Sequence, residues 1–485
     1  MQQVMARSGP VSQLSYGGSF CRRNLLLFRR SMRAMLALPF AVSLIYGQKA
    51  TPMQQLTFQP YHASGMYDVG DTVGWIVSPG PTAPTYAYKW TVRRNNADVL
   101  KEGKLDLSAG KDKIEIVGDQ PEMIYVAIEP YANLASETAP PEQNSAGAAN
   151  SAGGALPVFI GGNTSRNNGL YAVGAAVAPG RLGLSTPRPA DFDAFWNVKL
   201  TTQAKIPINP VLSPVQSENP GVEMMVFALD ALGSKAHGYV AKPAKPGKFP
   251  AIIQLQYAGV YALNVHEIAQ RAADGWLVID VDAHDKLPSD PSGGIPQSYV
   301  KVGNTDREKS YFLSMYLRDS RALDYLLTRP DWDGKTIVLT GGSQGGQQSL
   351  ALAGLRPDKI TAVLVCVPAG ADTNGDLHGR RAGFPSWPSD NPAAMQTALY
   401  FDPVNFASRI TSPVLAGFGF IDTTSPPAGV WTTLNQIPVP TEPLPMIESD
   451  HNNPAPEKGR ACPARTQEIL DSLRNGAQFK PTVLK

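Results

Sequence analysis

Residues 336–340 form an apolar segment that runs directly into Gly341, Gly342, Ser343, Gln344 and Gly345, and an Ala/Leu-rich segment, 347–355, leaves directly after it. G-x-S-x-G alone is a weak signal, because Gly-Ser turns are common. A strand, this turn and a helix in immediate succession constrain the chain far more. Such a turn is sharp and strained, so the flanking positions must be glycine for steric reasons. It holds the serine hydroxyl exposed at a sheet edge and sets it at a helix N-terminus, where N–H groups and the helix dipole favour a developing negative charge. The plain alternative is a Gly-rich connection with no chemistry. The surroundings fit the first reading. Strand candidates at 251–256, 277–282, 336–340, 362–367 and 414–420 alternate with helix candidates at 191–200, 264–274, 318–328, 347–355 and 428–436. Strands and helices in alternation predict an α/β fold with a mostly parallel, doubly wound sheet.

A neutral serine is a poor nucleophile and needs a base oriented by a carboxylate. In a fold of this kind the expected chain order is serine, acid, histidine. Only His378 and His451 follow Ser343. His378 lies in a Gly/Arg/Pro-rich stretch with no strand before it, whereas His451 follows the short apolar segment 444–447, as a loop after a last strand would. His451 is therefore the expected base. Asp422 stands just after the strand candidate 414–420, at the carboxyl end of a strand, where the sites of open α/β sheets gather. Asp372, after the preceding strand, is its rival, and a helix N-cap is the ordinary alternative for either. The backbone N–H groups of Tyr257, in the loop after 251–256, and of Gln344 are the candidate oxyanion hole. His266 and His284 also lie near strand ends, but both precede the serine and are read as structural or peripheral.

Upstream the texture differs. Short segments rich in β-branched and aromatic residues, at 72–77, 86–93, 113–117, 123–129 and 170–177, are separated by turn residues at short intervals. That spacing predicts a small Ig-like β-sandwich over 49–182, with a flexible Gly/Ala/Asn-rich insertion near 140–169. The α/β part is expected over 183–485. None of the sandwich residues forms a chemical constellation, so its expected role is packing or binding, with hydrolysis of small substrates surviving its removal. Residues 1–48 read as a leader: Arg22, Arg23, Arg29, Arg30 and Arg33 precede an apolar run at 34–45. That run is roughly a dozen residues, the length of an export signal and short of the ~20 that span a bilayer. Secretion or delivery to the periplasm is expected, with no stable membrane insertion after cleavage.

The formal charge of +2 with 17% charged residues gives no field for nucleic acid or an anionic membrane. Cys366 lies in an apolar run and reads as a buried core thiol. It could also pair with Cys462 in an oxidising compartment, and the sequence leaves that open. Metal-ligand spacing is absent among the Cys and His residues, so neither a metal nor an organic cofactor is expected.

From about 187 to 451 the chain resembles the acetyl xylan esterase / cephalosporin-C deacetylase family of carbohydrate esterases, which adopt the α/β-hydrolase fold. Four stretches carry the resemblance: RPADFDAFW at 188–196, QYAG at 256–259, TGGSQGG at 340–346, and the long segment YFDPVNFASRITSPVLAGFGFIDTTSPP at 400–427. The last is similar to the family segment bearing the catalytic aspartate, and its match falls on Asp422. QYAG is similar to the loop whose tyrosine N–H completes the oxyanion hole. The resemblance implies a serine esterase acting on acetylated carbohydrate such as xylan or xylo-oligosaccharides, and a homo-oligomer is compatible with it. Two motifs depart. The family's Arg-Gly-Gln stands here as Asp282, Ala283, His284, and its His-x-Glu as His451, Asn452, Asn453. His451 must then be held by other means, for which Asn452, Asn453 and His284 are the nearest candidates. Rival readings are a glucuronoyl esterase, a prolyl-oligopeptidase-like peptidase, or a non-catalytic carbohydrate-binding protein on the same scaffold, since fold alone does not select chemistry.

Overall fold

The computed structural model describes residues 56–81, 83–134, 170–452 and 461–483. The leader over 1–48 and the insertion near 140–169 lie outside the described residues, as does Asn453.

The N-terminal strands are β1 (Leu56–Pro60), β2 (Met66–Tyr67), β3 (Thr72–Pro79), β4 (Tyr86–Arg94), β5 (Asp98–Lys104), β6 (Asp112–Val117), β7 (Glu122–Asn133) and β8 (Tyr171–Val177). They form a three-stranded sheet, β1-β3-β6, and a five-stranded sheet, β2-β8-β7-β4-β5. Side chains alternate faces along a strand, and here they do so cleanly. Val73, Trp75 and Val77 of β3 meet Tyr88, Trp90 and Val92 of β4 and Ile124, Val126 and Ile128 of β7 in one buried core. This is the sandwich expected from the sequence. β1, β2 and the charged edge strand β5 were not expected; DVLKEGK has almost no apolar pattern, and β5 is held by pairing with β4.

The second part carries β9 (Val211–Val215), β10 (Val222–Ala231), β11 (Ser234–Pro243), β12 (Phe249–Leu255), β13 (Leu277–Val281), β14 (Trp332–Gly342), β15 (Ala362–Cys366), β16 (Val414–Gly419) and β17 (Thr441–Met446). They make one nine-stranded sheet in the order β17-β16-β15-β14-β12-β13-β11-β10-β9. From β13 to β17 every pairing is parallel, and β9, β10 and β11 add an antiparallel edge. The helices are α1 (Phe192–Ala204), α2 (Val265–Ala273), α3 (Tyr311–Thr328), α4 (Gln344–Leu355), α5 (Pro392–Ala398), α6 (Pro403–Ala407), α7 (Pro427–Asn435) and α8 (Ala461–Arg474). Buried clusters on both faces of the sheet, one with α3, α4 and α7 and one with α2 and α8, make it doubly wound. Helix α3 begins earlier than its polar-punctuated stretch suggests. Its first turns, YFLSMYL, are apolar nearly all round and buried, so they show no helical periodicity.

The two parts are not separable in the way the sequence suggests. β7 and β8 are buried on both faces. Ile124, Val126 and Ile128 of β7 and Tyr171, Val173, Ala175 and Val177 of β8 fill the sandwich core, while Met123 and Ala176 join the α/β core with Phe418 and Phe420. Tyr125, Ala127, Leu170 and Ala172 close over Ile421. The segment between β16 and Asp422 is thus roofed by the sandwich. Burying one aromatic or aliphatic side chain completely contributes about 1.5–3 kcal/mol, so Phe420 and Ile421 would lose substantial support without it. This shared core changes the expectation that small-substrate hydrolysis survives removal of the sandwich.

Cys366, at the end of β15, is bonded to Cys462 in α8, 96 residues away. Of the two readings left open by the sequence, the disulfide replaces the free core thiol. It ties α8 to the sheet, and for a loop of this length the chain-entropy model gives about 4–5 kcal/mol.

At Gly174 in β8 a Cβ atom would fall 2.8 Å from the Phe420 carbonyl oxygen and 2.9 Å from its Cβ. Overpacking of this kind costs about 1–3 kcal/mol. Gly174→Ala is therefore expected to lower the urea midpoint of unfolding, and to lower hydrolytic turnover because Phe420 precedes Asp422 by two positions. An unchanged midpoint would show that the seam between the two parts is loose.

Candidate active site

Strands β12, β14, β16 and β17 end on the same side of the sheet, and the loops at their carboxyl ends converge there. β14 ends at Gly342 and α4 starts at Gln344, leaving Ser343 as the only residue in the turn, with φ 52° and ψ −121°. A non-glycine residue at positive φ stores about 1–3 kcal/mol and persists only where its surroundings over-determine it. Here they do. Ser343 N–H donates to the Cys366 carbonyl at 3.0 Å, and Ala369 N–H donates to the Ser343 carbonyl at 3.0 Å. The flanking glycines are sterically required. A Cβ at Gly341 would lie 2.3 Å from the Gly345 carbonyl carbon, and one at Gly345 would lie 2.1 Å from the Leu255 carbonyl oxygen.

The structure brings Ser343, His451 and Asp422 together. His451 Nδ1 lies 2.8 Å from Asp422 Oδ2, and its Nε2 lies 2.9 Å from Ser343 Oγ. A carboxylate only accepts, so Nδ1 carries the proton and donates to Asp422, leaving the Nε2 lone pair to accept from the serine hydroxyl. Asp422 is itself fixed: its Oδ1 accepts from the N–H groups of Thr424 at 2.8 Å and Ser425 at 2.7 Å. Burial disfavours the imidazolium of His451. The carboxylate of Asp422, bonded to it, and then that of Asp450 outweigh burial, and the His451 pKa lies above its ordinary 6.5.

The other sequence candidates fall as follows. Gln344 is the first residue of α4, so its N–H lies outside the intrahelical ladder. Tyr257 follows β12 in a loop that abuts the start of α4: Gln348 Nε2 donates to the Gln256 carbonyl at 2.8 Å. The Tyr257 side chain is 57% exposed and stacks on Tyr261 at 4.5 Å. Asp372 is engaged elsewhere, accepting from Ser185 Oγ at 2.5 Å and pairing with Arg380. His378 sits 3.2 Å from Thr186 Oγ1, and His266 is exposed beside Glu218.

His284 departs from its expectation. It does not hold His451. It is fully buried, with Nε2 3.0 Å from the Gly259 carbonyl oxygen and Nδ1 2.8 Å from Tyr311 Oη. Asn452 is bonded through its N–H to Asp450 Oδ1 at 2.9 Å. Tyr299 and Tyr311 were missed by the sequence reading altogether. Tyr299 comes from a single 3-10 turn in a long irregular stretch, and Tyr311 from the first position of α3; neither lies in a motif. Among the described residues no group of His, Cys, Asp and Glu could hold a metal ion, and no helix is long and apolar enough to cross a membrane.

Comparison with known proteins places this geometry. The family model for acetyl xylan esterase matches residues 184–374. Acetyl esterase Axe7A of Xylanibacter ruminicola is 32% identical over 291 residues, which span 56% of this chain and 66% of that protein, just short of two thirds of its length. The acetyl xylan esterase from Paenibacillus sp. R4 superposes with a TM-score of 0.53 at 22% identity, over 61% of this chain and 98% of that one. Acetyl xylan esterase 1 from Thermoanaerobacterium sp. JW/SL YS485 does so with a TM-score of 0.50 at 22% identity, over 56% of this chain and 92% of that one. The two structures share the fold, α/β-hydrolase with a mostly parallel sheet, and through its α/β part this chain is similar in sequence to the acetyl xylan esterases, which are carboxylic ester hydrolases.

Proposed function

We propose that the protein is a serine esterase that removes acetyl groups from O-acetylated carbohydrates, xylan or xylo-oligosaccharides, through an acyl-enzyme on Ser343. The observation that carries this reading is the continuous hydrogen-bonded line Asp422–His451–Ser343 on a strained turn at a helix N-terminus. His451 Nε2 takes the hydroxyl proton as Ser343 Oγ attacks the acetyl carbonyl carbon. The N–H groups of Tyr257 and Gln344 bind the oxyanion of the tetrahedral intermediate. His451 then returns the proton to the departing sugar oxygen, leaving acetyl-Ser343. A water molecule, deprotonated by His451, attacks that ester and releases acetate. Asp422 holds the imidazole in the tautomer this sequence requires and stabilises its charged form. The substrate class is supported by the match to the acetyl xylan esterase model and by the acetyl esterase relative. Work outside the cytoplasm is supported by the Cys366–Cys462 disulfide, since such bonds persist in oxidising compartments.

Acetate release from acetylated xylo-oligosaccharides is the direct test. Turnover of these, with none of uronate methyl esters or peptide amides, is the expected pattern, and the reverse pattern would reassign the substrate. Ser343→Ala should lose several orders of magnitude in kcat while keeping the fold, with ~10³–10⁴ over water surviving from the oxyanion hole and binding. Near-wild-type turnover in that variant would remove Ser343 from the mechanism.

The base works only when neutral, so kcat/KM should fall as pH drops through the raised pKa of His451, placing the acid limb above 6.5. Stability moves the other way. The favourable charged form contributes fully below the unfolded-state pKa, and that contribution is lost as pH rises through the folded one. Asp450→Asn removes one of the charges that raise the pKa, so its acid limb should shift to lower pH. A pH–rate profile identical to wild type would show that Asp450 does not act on His451.

A further inference from the structure

Gly259 has both of its backbone polar groups held by aromatic side chains. Its N–H donates to Tyr299 Oη at 3.2 Å, and its carbonyl lies 3.0 Å from His284 Nε2. Its φ of +120° suits glycine, and it lies two residues beyond Tyr257. The hydrogen-bond directions follow from the groups. A carbonyl only accepts, so His284 Nε2 must carry the ring proton, and its Nδ1 lone pair accepts from the Tyr311 hydroxyl at 2.8 Å. Burial holds the ring's pKa down to about 4, which keeps it neutral and in this single tautomer. On the other side, the Tyr299 hydroxyl accepts from Gly259 and donates its own proton to Gln344 Oε1 at 2.6 Å. The result is one line with every donor and acceptor in a consistent sense: Tyr311 to His284, His284 to Gly259, Gly259 to Tyr299, Tyr299 to Gln344. It joins the loop bearing Tyr257 to the first residue of α4, the two places from which the oxyanion donors come.

The line is rigidly set. His284, Tyr299 and Gln344 are at most 2% exposed. The His284 ring meets Tyr299 edge-on at 4.7 Å, and Tyr299 meets Tyr311 at 5.2 Å. The turn beneath His284 is itself pinned. Arg318 Nη2 donates to the Ala283 carbonyl at 2.5 Å, and Gln256 Oε1 accepts from Ala283 N–H at 2.8 Å. None of these groups lies in the Asp422–His451–Ser343 line, so their convergence on Gly259 and Gln344 calls for a separate reason.

We propose that Tyr299 and His284 are positioning residues that lock the Tyr257 and Gln344 N–H groups at a fixed separation, so that both donate to the same oxyanion. The proposal rests on the esterase reading above. Oxyanion donors act only when aimed at the charge that develops, so misaiming them costs turnover rather than ground-state binding. Glutamine has an amide NH2 with two donors and a carbonyl acceptor, and can in principle make both of the bonds that His284 makes. Leucine can make neither.

The test measures kcat and KM on p-nitrophenyl acetate for wild type, Tyr299→Phe, His284→Leu and His284→Gln, with affinity for phenylboronic acid and thermal midpoints for each. Phenylboronic acid forms a tetrahedral adduct with the serine and reads the oxyanion site without turnover. Tyr299→Phe and His284→Leu are expected to lose about 10–100-fold in kcat with KM changed by less than about 3-fold, and to bind the boronate correspondingly more weakly. His284→Gln should recover most of the kcat lost in His284→Leu. Should His284→Leu fail to fold, the near-isosteric Tyr299→Phe carries the test alone. Wild-type kcat in Tyr299→Phe overturns the proposal, as does a loss confined to KM, or boronate affinity that does not follow kcat. If the wild-type protein neither hydrolyses the ester nor reacts with a fluorophosphonate, the esterase reading fails and takes this inference with it. An active wild type beside an unaffected Tyr299→Phe fails the inference alone.

Discussion

A Cβ on Gly345 would lie 2.1 Å from the carbonyl oxygen of Leu255, so the first turn of α4 presses on the end of β12 with only a hydrogen atom between them. Much of the site depends on that contact. It sets Gln344 beside the loop that carries Tyr257, and it forces the backbone at Ser343 into a conformation that an L-residue adopts only under constraint. The strain is held by the Ser343 N–H, which donates to the end of β15, and by the Ala369 N–H just beyond it, which donates to the Ser343 carbonyl. The parallel strands β12, β14 and β15 thereby act as a single rigid support for one hydroxyl. A hydroxyl is useful as a nucleophile only when its base stands at a fixed distance, and such rigidity is what the proposed chemistry at Ser343 requires.

The two residues that line up with Ser343 come from the other half of the sheet. Asp422 and His451 sit in loops after β16 and β17; α7 packs on the end of β16, with Trp431 edge-on to Phe418 at 5.3 Å. The sandwich supplies the rest of the cover. β7 and β8 have two buried faces, one spent on their own core and one on Phe420, Ile421 and the residues before Asp422. Gly174 permits the approach of β8 to the Phe420 backbone, and Gly65 permits the approach of the loop after β1 to Phe420 and Ile447. The sandwich is therefore part of the wall behind the acid, whatever else it binds.

Much of this was legible before the structure. The turn at Ser343, its flanking glycines and the strand–helix alternation are written in local pattern, because a sharp turn and a parallel sheet each demand particular residues at particular spacings. The convergence of Asp422 and His451 on Ser343 was reachable through chain order and strand-end placement. What was not legible depends on partners distant in sequence. The hairpin of β10 and β11 is long and only partly alternating, since its strands are buried to different degrees on the two faces. The disulfide needs Cys366 and Cys462 brought within reach by the sheet and α8, which no spacing reveals. The double burial of β7 looks from its sequence like a strongly apolar strand and nothing more. Tyr299 carries no local signal at all; its role exists only because an irregular loop returns to Gly259 and Gln344.

The departure at 282–284 shows how such support can be rebuilt without charge at its tip. An ionised side chain buried beside an oxyanion hole would need desolvation and a partner, and an unpaired buried charge is costly. A neutral histidine in one tautomer offers one donor and one acceptor in fixed directions, enough to hold a carbonyl and receive a hydroxyl. The charge in this region is kept one layer back. Asp282 pairs with the buried Lys286 at 3.2 Å, burial pushes its carboxyl up to about 6, and Arg318 closes on the Ala283 carbonyl. Those ions brace the backbone of the turn, and Lys286 Nζ also reaches the Tyr261 carbonyl at 3.2 Å, while the group that touches Gly259 itself, His284, is uncharged. The contact to Gly259, two residues beyond Tyr257, is thereby made by a neutral ring, while the charged contact from the turn falls on Tyr261, farther along the loop.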